Sequence, residues 1–166
     1  MVKEESLGPK QARLSLGTFI REHHARILEA WERSVRQLPS SRGLSRPRLL
    51  DHLPDLLERI SRVVSTVQTG EHETLAGLPE VHALERLDSG FDLDEVAEEY
   101  GLLRACILEL YGELAQASGL VSMAEAMREV VSFNRTFDEA VSAAVSRYAR
   151  AHERTLLGFD WFWDCV

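Results

Sequence analysis

"HALERLDSGFDLDEVAEEYGLLR", residues 82–104, is the stretch that decides the fold. Gly90 stands where a left-handed helix C-cap is wanted, and Phe91 just beyond it is placed to fold back onto the last turn. Asp92 with Glu95 three residues later makes a capping box, so a new helix starts at once. The stretch therefore reads as a short helix from about 79 to 89, a tight glycine stop, and a long helix from about 93 to 117. Leu93, Val96, Ala97, Tyr100, Leu103, Ile107, Leu110, Tyr111 and Leu114 form the buried stripe of the second helix.

Outward from this stretch the helical period continues in both directions. Upstream, Phe19, Ile20, His23, Ile27, Ala30, Trp31, Ser34, Val35 and Leu38 recur at spacings of three and four, which predicts a helix over roughly 13–38, stopped by Pro39 and Gly43. Ser45 then precedes Pro47 and a series from Leu49 to Val67, which predicts a capped helix ending near 68, before Thr69-Gly70. Pro54 lies inside that series. A proline one or two turns into a helix forfeits a backbone hydrogen bond, so either a kink or a short helix followed by a longer one is expected there.

Downstream, Gly119 interrupts the pattern, and Ser122 with Glu125 forms a second capping box. The longest helical run follows, from 123 to about 157, free of proline and glycine until Gly158. Met127, Val130, Asn134, Phe137, Val141, Ala144, Tyr148 and Ala151 alternate along it by three and four, the seam of a coiled coil or bundle helix. Such a seam is a candidate dimerisation and signalling surface, with Asn134 fixing register. The expected fold is all-α, five to six helices in a bundle or globin-like packing, with a long C-terminal helix. Residues 1–12 read as a loose lead-in, 13–157 as one helical regulatory domain and 158–166 as an aromatic tail.

Composition limits the function. With 166 residues, 45% of them hydrophobic and 28% charged, the chain is long enough for one core. A formal net charge of -8 repels phosphate backbones and anionic headgroups, so neither nucleic acid nor a membrane surface is an expected partner. No apolar run reaches about 18 residues, and "MVKEESLGPK" lacks the apolar core of a secretion signal. Cys106 and Cys165 match no zinc or redox spacing, and a cytoplasmic setting is expected.

The chemistry-bearing residues concentrate in the opening stretch. His82 and Arg86 stand one turn apart on the short helix, Tyr100 and Arg104 one turn apart on the long one, with Glu99 beside them. Folded across the Gly90 turn, these five form either a polar cluster lining a ligand pocket or a satisfied network pinning two helices together. A metal is not expected. His23 and His24 are adjacent and so point about 100° apart on a helix, Glu80 and His82 are split in the same way, and H-E-x-x-H is absent. A haem would need one histidine facing an apolar cavity, and His23, His52 and His82 are the candidates, with no spacing to choose among them. G-x-S-x-G and glycine-rich phosphate loops are absent. His152-Glu153 imitates the start of a sensor-kinase phospho-acceptor box but lacks its proline, and no ATP-binding half accompanies it. No catalytic residue, cofactor or metal ligand is therefore assigned.

"ILEAWERSV" at 27–35 and "HALERLDSGFDLDEVAEEYGLLRACIL" at 82–108 give the chain a resemblance. It resembles the RsbRD N-terminal domain family, the sensory input module found ahead of bacterial histidine kinase cores and in stressosome co-antagonist proteins. The family-like positions are His82, Arg86, Gly90, Phe91, Leu93, Val96, Glu99, Tyr100, Leu103 and Arg104, and the likeness runs from about 14 to 157. The resemblance implies an all-helical, non-catalytic regulatory domain, usually a homodimer, that passes a signal through its last helix to a kinase core or stressosome component. It supplies no catalytic residues and no ligand. A kinase of this type would enter its phospho-acceptor helices after "RTLLGF", where this sequence has "DWFWDCV". Those aromatic residues are expected to pack back on the bundle or to form an interface.

Overall fold

The computed structural model describes residues 15–66, 74–75, 77–118 and 122–160, with the side chains of 118 and 156–160 left aside. The lead-in of residues 1–12, Thr69-Gly70, Gly119, Cys165 and the end of the aromatic tail lie outside the described residues. The fold is all-α, as the periodicity predicts. Its helices are α1 (Leu16–Glu22), α2 (His24–Val35), α3 (Arg46–Leu50), α4 (Leu53–Thr66), α5 (Leu78–Asp88), α6 (Leu93–Ser118) and α7 (Met123–Asp160). Among the described residues no helix is long and apolar enough to cross a membrane.

Among the described residues the expected count of five or six becomes seven segments, because the first predicted helix is broken at His23. That residue leaves the helical region (φ -114°, ψ 18°) and serves as C-cap of α1 and N-cap of α2. The break lets two short segments face different partners: α1 lies against α4, while α2 lies against α6. Ser15 starts α1 by accepting the Thr18 N–H on its hydroxyl at 3.2 Å.

Of the two alternatives at Pro54, the short helix before a longer one is observed. Asp51 stops α3 at a positive φ (φ 31°, ψ -114°), and α4 restarts two residues on. Pro54 is thereby placed in the first turn of α4, where its missing N–H costs no helical bond, so the forfeited bond expected from the sequence does not arise. Ser45 occupies the N-cap of α3, yet its side chain caps nothing. Pro47 at the second helical position removes one of the two amides that such a cap would bind.

The two halves of the decisive stretch fold as read. Phe91 donates its N–H to the Arg86 carbonyl and Gly90 donates to that of Leu87, each at 3.0 Å, the paired bonds of a Schellman stop. Gly90 takes φ 85°, and Phe91 is buried against the end of α5. The box then closes: Glu95 N–H donates to Asp92 Oδ1 at 2.8 Å and Asp92 N–H to Glu95 Oε2 at 3.2 Å. Ser40, in the α2–α3 turn, adds a hydroxyl bond of 2.6 Å and an N–H bond of 3.0 Å to the same carboxylate. Partial burial pushes the Glu95 carboxyl up, but the Ser40 and Asp92 donors outweigh it and hold the group below the usual range. At α7 the Ser122 hydroxyl accepts the Glu125 N–H at 3.2 Å, the second predicted cap.

The core is one cluster drawn from every helix, with Phe19, Ile27, Trp31, Leu57, Phe91, Ile107, Phe133 and Phe137 among its members. Long-range side-chain hydrogen bonds fix α7 to it. Tyr148 donates its hydroxyl to the Phe91 carbonyl at 2.7 Å, and the Glu129 carboxylate accepts both the Tyr111 hydroxyl (3.0 Å) and the Leu16 N–H (2.8 Å). Glu129 so reaches the N-terminus of α1, where the helix dipole favours a negative charge.

Close approach of α1 to α4 depends on Gly17, whose carbonyl accepts the Ser61 hydroxyl at 2.8 Å. A Cβ there would overlap Ser65 Oγ and stand 2.8 Å from the Ser61 carbonyl oxygen. Gly17→Ala is therefore expected to cost about 1–3 kcal/mol in urea denaturation, the usual cost of overpacking. Adding Ser65→Ala removes one clash but not the backbone one, so only part of the loss should return. Full recovery in that double variant would show that the Ser61 backbone yields freely.

Candidate functional site

The cluster forms because α5 ends in a stop that turns the chain straight back into α6. His82 and Arg86, four residues apart, share one face of α5, and that face meets Glu99 of α6. Glu99 is 2% exposed, Arg86 1% and His82 2%, so all three titratable groups are sealed from water.

Their bonds balance the charge. Arg86 donates Nε–H to both Glu99 oxygens, each at 2.9 Å, and His82 faces Glu99 Oε2 through Nε2 at 3.2 Å. One carboxylate thus neutralises one guanidinium, and the imidazole Nε2 faces the same carboxylate. The guanidinium reaches further, donating from Nη2 to the Leu49 carbonyl at 2.6 Å and from Nη1 to the Arg48 carbonyl at 3.2 Å. These are carbonyls at the C-terminus of α3, which that helix cannot satisfy itself. Arg86 also lies over the Phe91 ring, 5.1 Å from its centroid. On the other side, Trp31 of α2 donates its indole N–H to the Glu99 carbonyl at 3.2 Å. Four helices and the α5–α6 turn are tied together at this point.

Tyr100 belongs to the same wall. Its ring meets the His82 imidazole edge-on at 5.7 Å, and its hydroxyl lies 3.5 Å from the Pro79 carbonyl. Burial, then the charges of Glu99 and Glu80, push its phenol well above the ordinary range, so it stays protonated.

Arg104 does not join the cluster. Five residues beyond Glu99 on one helix, it points about 140° away. It pairs with Asp138 of α7 at 3.0 Å and lies over the Phe137 ring at 5.5 Å, with 30% of its side chain exposed. The sequence grouped it by proximity along the chain, and helical rotation separates it.

The pocket alternative meets a filled space. The crevice bounded by Trp31, Leu53, His82, Glu99, Tyr100 and Leu103 has no room for a water molecule. His82, a haem candidate, is held by Glu99 and packed against Tyr100, while the His23 ring lies against Phe19. The other ring nitrogen of His82, Nδ1, is buried and meets no hydrogen-bond partner. The arrangement ties the helices together, and the described side chains leave no room for water in this crevice.

The predicted seam of α7 divides in two. Phe137, Ala144 and Tyr148 are buried in the chain's own core, with Phe133 and Ala140 completing the inward stripe. Met127 is exposed, and Val130, Asn134 and Val141 are half-buried. A seam through all eight, the half-buried Ala151 included, is therefore not presented to a second molecule, because the chain's own core uses Phe137, Ala144 and Tyr148. The outward apolar residues of the first turns are Met123, Met127 and Val131.

Sequence reasoning missed the role of the α3 carbonyls and of Trp31 as a donor to the cluster. A signal existed for the first: a short helix stopped at Asp51 leaves orphan carbonyls that some donor must meet. It also missed one juxtaposition outside the cluster. Among the described residues, Asp51, His52 and Glu85 bring three potential ligand atoms to within 4.8 Å of one another.

The sequence profile of the family described as the RsbT co-antagonist protein rsbRD N-terminal domain matches residues 16–158. No curated protein and no solved structure gives a significant match.

Proposed function

The chain belongs to the RsbRD N-terminal domain family, and from that premise we propose that it is a non-catalytic sensory input and dimerisation domain of a bacterial two-component or stressosome-type signalling protein. In this reading it works in the cytoplasm as a homodimer and hands its signal through α7 to a kinase core or stressosome component.

The observation that carries the reading is the division of α7. One continuous helix, Met123–Asp160, has its middle stripe from Phe133 to Tyr148 locked into the core and an exposed apolar face at its start. A rigid element held by the sensor's core and open to a partner at one end can transmit a displacement. The sealed Glu99 cluster supports a structural role for the family-like residues, since every charge in it is spent on helix-to-helix contacts.

Light scattering on the full chain, wild type and Met127→Glu/Val131→Glu, tests this. The wild type is expected to be a dimer and the variant a monomer of unchanged helicity by circular dichroism. A wild type that stays monomeric at high concentration, or a variant that stays dimeric, would overturn α7 as the dimer surface.

A further inference from the structure

We propose that Asp51, His52 and Glu85 form a binding site for a divalent first-row transition cation such as Zn²⁺, at the joint between α3 and α4 and apart from the Glu99 cluster. His52 Nε2 lies 2.9 Å from Glu85 Oε1 and 4.0 Å from Asp51 Oδ1. Ligand atoms held around one ion at about 2.0–2.2 Å stand about 3–3.5 Å apart. Glu85 and His52 are already at that separation, and a small rotation of the Asp51 side chain closes the set.

The donor chemistry points to the class of ion. One imidazole and two carboxylates suit zinc, manganese, iron or cobalt, whereas a soft ion such as Cu⁺ wants sulfur. Two carboxylates also match a charge of two, so the loaded site is neutral with the imidazole unprotonated.

A second observation concerns Glu85 itself. Its Oε2 atom is buried and meets no hydrogen-bond donor. A cation supplies the missing positive partner for both carboxylates at once. All three side chains remain about one-third exposed, at 31%, 34% and 37%, which leaves an entry path and room for water ligands.

A bound ion would clamp the α3–α4 joint to α5 one residue before Arg86, whose guanidinium grips the Arg48 and Leu49 carbonyls of the same joint from inside. The site does not depend on the signalling reading.

The test is calorimetric titration of the metal-stripped full chain with Zn²⁺, paired with a thermal melt. The wild type is expected to take up one equivalent and to melt higher when loaded. His52→Ala and Glu85→Gln should each weaken binding by about a hundredfold, the upper end of what even outer-sphere partners contribute to a metal site. His152→Ala, on exposed helix surface far along the chain, should leave it unchanged. Glu85→Gln keeps the side chain's shape and a carbonyl acceptor, so it decides the matter if His52→Ala fails to fold. A wild type that binds no zinc, or a Glu85→Gln variant that binds it as tightly as the wild type, overturns the assignment.

Discussion

Glu99→Ala is expected to cost about 3–5 kcal/mol of folding stability, the loss typical of breaking a buried ion pair from one side. The carboxylate accepts from both Arg86 and His82 in a place where the three side chains are almost wholly out of water. Removing it strands a guanidinium that cannot shed its charge. Arg86→Met should cost less than that. It strands no guanidinium, although it also strips the Arg48 and Leu49 carbonyls of their donor. Arg104→Ala supplies the contrast, at about 1 kcal/mol or less, because its pair with Asp138 is open to solvent, with 69% of the Asp138 side chain exposed. Urea denaturation of the three variants checks all of this. Equal losses for Glu99→Ala and Arg104→Ala would mean that burial does not set the strength of this network.

Trp31→Ala is expected to cost about 3–5 kcal/mol as well, by a different mechanism. The ring is fully buried between α2 and α6 and is the largest side chain in the core. Its loss opens a cavity that stiff neighbouring helices cannot fill, and dispersion contacts vanish with it. The indole bond to the Glu99 carbonyl adds only a little, since that carbonyl also lies within a helix and keeps its main-chain environment. Trp31→Phe, which keeps one aromatic ring but gives up the donor and part of the volume, should therefore recover much of the stability. If Trp31→Phe proved as costly as Trp31→Ala, the hydrogen bond rather than the packing would be what matters at this position.

The two variants bear on different layers of the same site, and the sequence made them unequally visible. Trp31 is legible as core from its helical register with Ile27 and Val35, all fully buried. His82, Arg86 and Glu99 are legible as a group because one glycine stop and one capping box bring their helices face to face, and those local signals act within a few residues. Whether the group would be a pocket or a lock was not legible. That depends on Trp31 and Leu53 filling the space from helices far away in the chain.

The sequence by itself determined the helices, their caps and their stops, because 3.6-residue periodicity, glycine at positive φ and reciprocal cap bonds are properties of short segments. Tertiary structure alone decided how those segments share their faces. It turned Arg104 toward Asp138, because five residues of helix is a rotation and not a proximity. It committed Phe137, Ala144 and Tyr148 to the chain's own core, since apolar spacing says which face is buried but not against whom. It also placed His52 beside Glu85, 33 residues further along the chain, a contact set only when the α3–α4 joint packs on α5.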